Sequence, residues 1–150
     1  MKPLISGTFI ALTLSALACQ QRHPDHLLEA RAVPAAVRQS LTRHFAKASD
    51  VIWKKRIINY EAGFWDGGTR TLAWFSPKGV LVKTQWAVVP GALPGPVRHT
   101  LATEYHGYRV LDASETKSAR TGEVTYRTEL ERAGKTKTVE LEENGSVIRL

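Results

Sequence analysis

Cysteine occurs once in this 150-residue chain, at Cys19. A lone thiol has no intramolecular partner, so no disulfide framework can hold the fold together. Long apolar runs are missing as well. The apolar stretch near the start, residues 4–18, is shorter than the roughly 20 residues a membrane-spanning helix needs. No phosphate loop, dinucleotide glycine pattern or nucleophile elbow is present. His44, His99 and His106 fall in or just after predicted helices, with no acidic partner at a recognisable spacing. His23 and His26 form a pair without a third ligand, the pattern of solvated polar residues and not of a metal site. The sequence therefore predicts no enzyme, no cofactor and no metal. An unrecognised hydrolase stays as the outlying alternative.

The N-terminus reads as an address. MKPLISGTFIALTLSALA has one cation, Lys2, then an apolar stretch ending in small residues, the form of a secretory signal peptide over residues 1–18. The tetrapeptide ALAC resembles a bacterial lipoprotein box, with Ala16 where Leu is usual. That resemblance makes Cys19 the acylated first residue of the mature chain, and plain cleavage after Ala18 is the alternative. Gln20 in place of an Asp favours the outer membrane over the inner one. An exported, periplasmic outer-membrane lipoprotein is thus expected, touching the membrane through its lipid anchor. Residues 19–32 form the lipidated cysteine and a polar tether. The chain carries a net charge of +7, but export removes it from nucleic acid, so none is expected as a partner.

Residues 33–150 spell one pattern twice. VPAAVRQSLTRHF and LPGPVRHTLATEY align at an offset of sixty, matching Pro34 with Pro94, Val37 with Val97 and Leu41 with Leu101. Within each, apolar residues at i, i+4 and i+8 line one face of a helix. After an insertion near residues 117–123, the match resumes with Tyr60/Tyr126, Phe64/Leu130, Phe75/Leu141 and Gly79/Gly145. Glycine turns such as Asn144-Gly145 punctuate short alternating segments and mark hairpins. The spacing predicts strands over 50–56, 57–65, 69–76 and 79–88, then 109–116, 123–131, 135–142 and 146–150. The fold class is α+β: two tandem units, 33–89 and 90–150, each a helix followed by a four-stranded antiparallel sheet. The helices lie on one face, and the units fuse into one sheet or abut as two.

These segments, with SDVIW, YEAGF, LAWFSPKGVL, TYRTEL and VELEENGSVI, resemble the PepSY-like family of bacterial periplasmic proteins, also called β-lactamase-inhibitor-like. The resemblance covers residues 33–150. Ala46-Lys47-Ala48 departs from the Pro-Gly turn common in that family. The resemblance implies a non-catalytic periplasmic binding module that inhibits or regulates an envelope hydrolase.

One asymmetry between the copies points to a site. Alternation places Tyr60, Ala62 and Phe64 on the core side of their strand, and Glu61, Gly63 and Trp65 on the open side. In the next strand, Ala73 and Phe75 face the core while Leu72 and Trp74 face outward, with Arg70 nearer the turn. The second copy holds Arg127, Glu129 and Glu131 at the equivalent outward positions, a solvated face. Trp65, Trp74, Leu72 and Arg70 therefore make the expected partner-binding patch, the two tryptophans bracketing Leu72. Trp53 is expected in the core, opposite Ala113, and Trp86 has no assigned place. Residues 20–92 hold eleven basic against five acidic side chains, whereas 93–150 hold nine of each. The surplus, with Lys54, Lys55, Arg56, Arg70 and Lys83 nearest the patch, suits an acidic envelope protein or peptide. The alternatives are a homodimer across this face, internal cover of it, or a basic envelope-structural lipoprotein holding anionic polymer.

Overall fold

The structure, a computed structural model, describes residues 27–148. The leader, Cys19, the histidines at 23 and 26, and the last two residues lie outside them. The two repeated segments form helices α1, Ala35–His44, and α2, Gly95–Glu104. Pro34 and Pro94 stand at the N-caps, where the missing N–H has no helical bond to lose. Their carbonyls accept the N–H groups of Arg38 at 3.1 Å and Arg98 at 2.9 Å.

Nine strands follow one another as a single meandering sheet: β1 Leu27–Leu28, β2 Ala48–Lys55, β3 Tyr60–Asp66, β4 Thr69–Phe75, β5 Leu81–Ala87, β6 Arg109–Ser118, β7 Val124–Arg132, β8 Lys135–Glu142 and β9 Val147–Ile148. Every neighbouring pair is antiparallel. The eight expected strands are present, most with ends shifted by one to three residues, and a ninth precedes them. The second begins at Tyr60, because Arg56 N–H closes a turn onto the Asn59 carbonyl at 2.9 Å and leaves 57–59 outside the ladder. The last is Val147–Ile148 among the described residues. Leu27–Leu28, expected in the tether, pairs with Lys54 and Trp53, so the folded body begins before residue 33.

The two sets of four strands do not form separate sheets, because Lys83–Ala87 of β5 pairs continuously with Ser114–Ser118 of β6. Side chains paired across a ladder share a face. The row Thr71–Trp86–Glu115–Tyr126–Leu141 thus carries one face across five strands. Both helices pack on that face. Val37 and Leu41 of α1 bury against Trp53, Phe64 and Phe75. Val97 and Leu101 of α2 bury against Ala113, Leu130 and Leu141. Trp53 is therefore a core residue as expected, but it and Ala113 belong to different clusters. Each large apolar side chain so buried contributes about 1.5–3 kcal/mol.

Two glycines set how closely the helices approach. A Cβ on Gly79 would lie 2.5 Å from the Ala36 carbonyl oxygen, and one on Gly145 would lie 2.6 Å from that of Pro96. Both glycines also hold positive φ, +80° and +86°. They end the β4–β5 and β8–β9 hairpins and seat the first turn of each helix in the same residue.

Candidate binding site on the open sheet face

On the face away from the helices, three cross-strand rows span the first half. Lys54, Glu61, Trp74 and Lys83 form one row, Ile52, Gly63 and Leu72 the next, and Ser49, Trp65 and Arg70 the third. The alternation read from the sequence puts the four candidate residues on this shared face. Trp65 and Trp74 stand at opposite ends of the patch, with Leu72 between them and Arg70 beside Trp65 across the ladder.

Their exposure differs from the expectation of two open tryptophans. Trp65 is 43% exposed, and the Arg70 guanidinium carbon sits 5.8 Å from its ring centroid. Trp74 is half-buried. Its indole N–H donates to Glu61 Oε2 at 3.1 Å, and Lys83 Nζ lies 4.5 Å above its ring. Glu61 is itself only 5% exposed and accepts a second bond from Arg56 Nε at 2.7 Å. A buried carboxylate is costly unless its oxygens are bonded, and Arg56 and Trp74 supply the donors. Trp74 thus belongs to a polar lock within the sheet, and Trp65 is the open aromatic.

A depression of about 660 Å³ lies next to this lock. Gly63 lines it, standing in register between Ile52 and Leu72 with no side chain of its own in that row. A Cβ there would meet Leu72 Cδ2 at 3.2 Å. Leu27 and Ile52 complete the apolar lining, while Lys54, Arg56, Arg70 and Glu61 supply its polar part. Neither tryptophan lines it, although Leu72 and Arg70 do. Ile52, Gly63 and Leu27 are therefore the site residues that sequence reasoning left out. A glycine inside an otherwise β-rich strand was the available signal for Gly63. Nothing in the local pattern marked Leu27, whose position depends on its pairing with Lys54.

Trp86 lies on the other face. It lines a groove of about 470 Å³ with His44 and Phe45 at the end of α1, Asp66, Leu81 and three threonines. His44 Nδ1–H donates to the Ser40 carbonyl at 2.9 Å, which turns that nitrogen into its own helix. In register, Trp86 stands beside Glu115, which in turn pairs with Tyr126. Burial pushes the Tyr126 phenol up to about 12, and the neighbouring Glu115 carboxylate adds to the shift. On the second half's open face Arg127 and Glu129 are exposed, the solvated surface expected there.

The fold has known counterparts. A protein of the DUF2874 family from Bacteroides uniformis superposes with a TM-score of 0.72 at 23% identity, covering 77% of this chain and 86% of that one. A Bacteroides eggerthii protein provisionally described as periplasmic gives 0.73 at 19% identity, covering 78% and 86%. A BLIP-like protein from Bacteroides fragilis gives 0.68 at 18% identity, covering 77% and 84%. The fold is thus BLIP-like. No sequence-family profile matches the chain, and no curated protein does.

Proposed function

We propose that this protein is an exported, non-catalytic binding module of the bacterial envelope that receives an acidic protein segment on the open sheet face of its first half. The observation that carries this reading is the depression over Gly63, apolar along Ile52 and Leu72 and flanked by Arg70. An extended chain laid there would bury apolar side chains in the gap and present carboxylates to the guanidinium. The basic surplus of residues 20–92 would steer such a segment toward this half. Trp65, exposed at the margin, supplies an aromatic anchor beside Arg70.

The periplasm is the proposed location. The leader-like residues 1–18 support it, and so does the provisional periplasmic description of the Bacteroides eggerthii protein. Acylation of Cys19 and the outer membrane complete that address. PepSY-like membership and descent by tandem duplication are part of the same reading. The register irregularities of β2 and β6, near residues 50 and 111, and the paired glycines at 79 and 145 support the duplication. Restraint of an envelope hydrolase is the finer role within this reading, and likeness to the BLIP-like protein supports it. The charge surplus favours anionic envelope polymer as the second reading.

Affinity capture from envelope extract tests both. Immobilised wild-type chain should retain one stoichiometric protein, and the Arg70→Glu, Leu72→Asp double variant should lose it. Retention of polymer alone, released by salt and indifferent to Leu72, would establish the second reading instead.

A further inference from the structure

We propose that the β2–β3 hairpin tip is a membrane-contact element that inserts Ile57 and Ile58 into an anionic lipid surface. Ile57 is 99% exposed and Ile58 72% exposed, at a turn held by the bond from Arg56 N–H to the Asn59 carbonyl. The fold does not require apolar residues at such a tip. The corresponding β6–β7 turn of the second half reads Ala119-Arg120-Thr121-Gly122 and closes by its own bond, Ser118 N–H to the Glu123 carbonyl at 2.9 Å. Two solvated isoleucines at a protruding tip gain nothing from the core, so contact outside the chain accounts for them.

Alternation of the strands places the β2–β3 and β4–β5 turns at the same end of the sheet. That end carries Lys54, Lys55 and Arg56 ahead of the tip and Lys78 in the next turn, beside Val80 at 61% exposure. Among the described residues of the first half, the carboxylate near this end is Glu61, engaged by Arg56 and Trp74. Glu123, Glu142 and Glu143 lie at the same end but across the sheet, beyond β6. A narrow apolar tip with cations behind it suits a bilayer better than a protein. The isoleucines can enter the acyl boundary while the ammonium groups remain at headgroup level, whereas a protein hot spot needs a broader packed surface. The chain also enters the described fold at this end, since Leu27 pairs with Lys54. A tether from a lipidated Cys19 would therefore leave this corner facing the membrane, but the proposal does not depend on acylation or on the open-face site.

The test uses residues 19–150 with Cys19→Ser, a chain that retains every described element and has no lipid. Sedimentation with vesicles containing phosphatidylglycerol should capture it at low salt, and vesicles of phosphatidylcholine alone should capture it at least tenfold more weakly. Ile57→Ser with Ile58→Ser should reduce capture by the anionic vesicles about tenfold or more. Leu111→Ser, an exposed apolar change near the opposite end, should not. A fluorophore on Ile58→Cys should be quenched by lipid-borne nitroxides, and one on Leu111→Cys should not. Failure of the unmodified chain to bind anionic vesicles, or equal binding by the isoleucine variant, would overturn the proposal. Either result would leave the tip to a protein partner.

Discussion

Trp74 donates its indole N–H to the buried carboxylate of Glu61 across the β3–β4 ladder, at 3.1 Å. The same carboxylate oxygen accepts from Arg56, so one buried acid joins a strand end, a turn and an aromatic. Trp74→Phe keeps an aromatic ring, though a smaller one, and removes that donor. It should cost about 1.5–3 kcal/mol, the range for a hydrogen bond to a charged group. Trp65→Ala should shift stability by no more than about 0.5 kcal/mol, because that ring is open. Urea melts of the two variants check the distinction, and equal losses would refute it.

Large truncations on the helix face should be far more damaging. Phe64 and Phe75 are fully buried beneath α1. Phe75→Ala is expected to cost about 3–5 kcal/mol through lost burial and the cavity left behind. Thermal unfolding compared with Trp65→Ala measures the gap between the two faces.

Gly79→Ala should destabilise although it adds a single methyl. That methyl meets the Ala36 carbonyl, and the residue must hold a φ of +80°. Positive φ alone costs on the order of 1–3 kcal/mol, and displacing the first turn of α1 adds to it. Gly134→Ala, at a φ of +77° with open space around it, isolates the conformational part. The difference in denaturation midpoint between the two variants reports the helix contact.

Tyr126 makes stability depend on alkaline pH. Its proton is held up to about 12 in the folded protein, against an ordinary value near 10 in the unfolded chain. The unfolded state therefore loses this proton first. The contribution is complete below pH 10 and disappears as pH rises through about 12. Tyr126→Phe should flatten that part of the stability curve. Urea melts from about pH 9 to pH 12 test it, and unchanged curvature in the variant would contradict it.

Much of this architecture was legible in the sequence because alternation and helical spacing are local signals. Val37, Leu41, Phe64 and Phe75 face the core where their periods put them, and Leu72 and Arg70 share the open face. Long-range pairing was not legible. Nothing between residues 20 and 32 announces that Leu27 joins Lys54, and the two-residue β1 is too short for a pattern. The true role of Gly79 was hidden for a related reason. A turn glycine and one that admits a helix backbone look identical in sequence. The Trp74–Glu61 bond escaped because alternation gives a face but not which neighbours on it meet. The depression at Gly63 lies where a residue has no side chain, visible only once Ile52 and Leu72 are placed on either side.

The central claim is that the open face of the first half receives an acidic partner, and photo-crosslinking in the intact bacterial envelope tests it most directly. A photoreactive amino acid would be placed at Ile52 in the site or Trp65 at its margin, at Arg127 on the same face of the second half, and at Trp86 in the groove beside the end of α1. The account predicts one discrete protein adduct from positions 52 and 65, lost when Arg70→Glu is added, and none from 127 or 86. Adducts of equal yield from 127, or from 86 but not from 52 and 65, would contradict it.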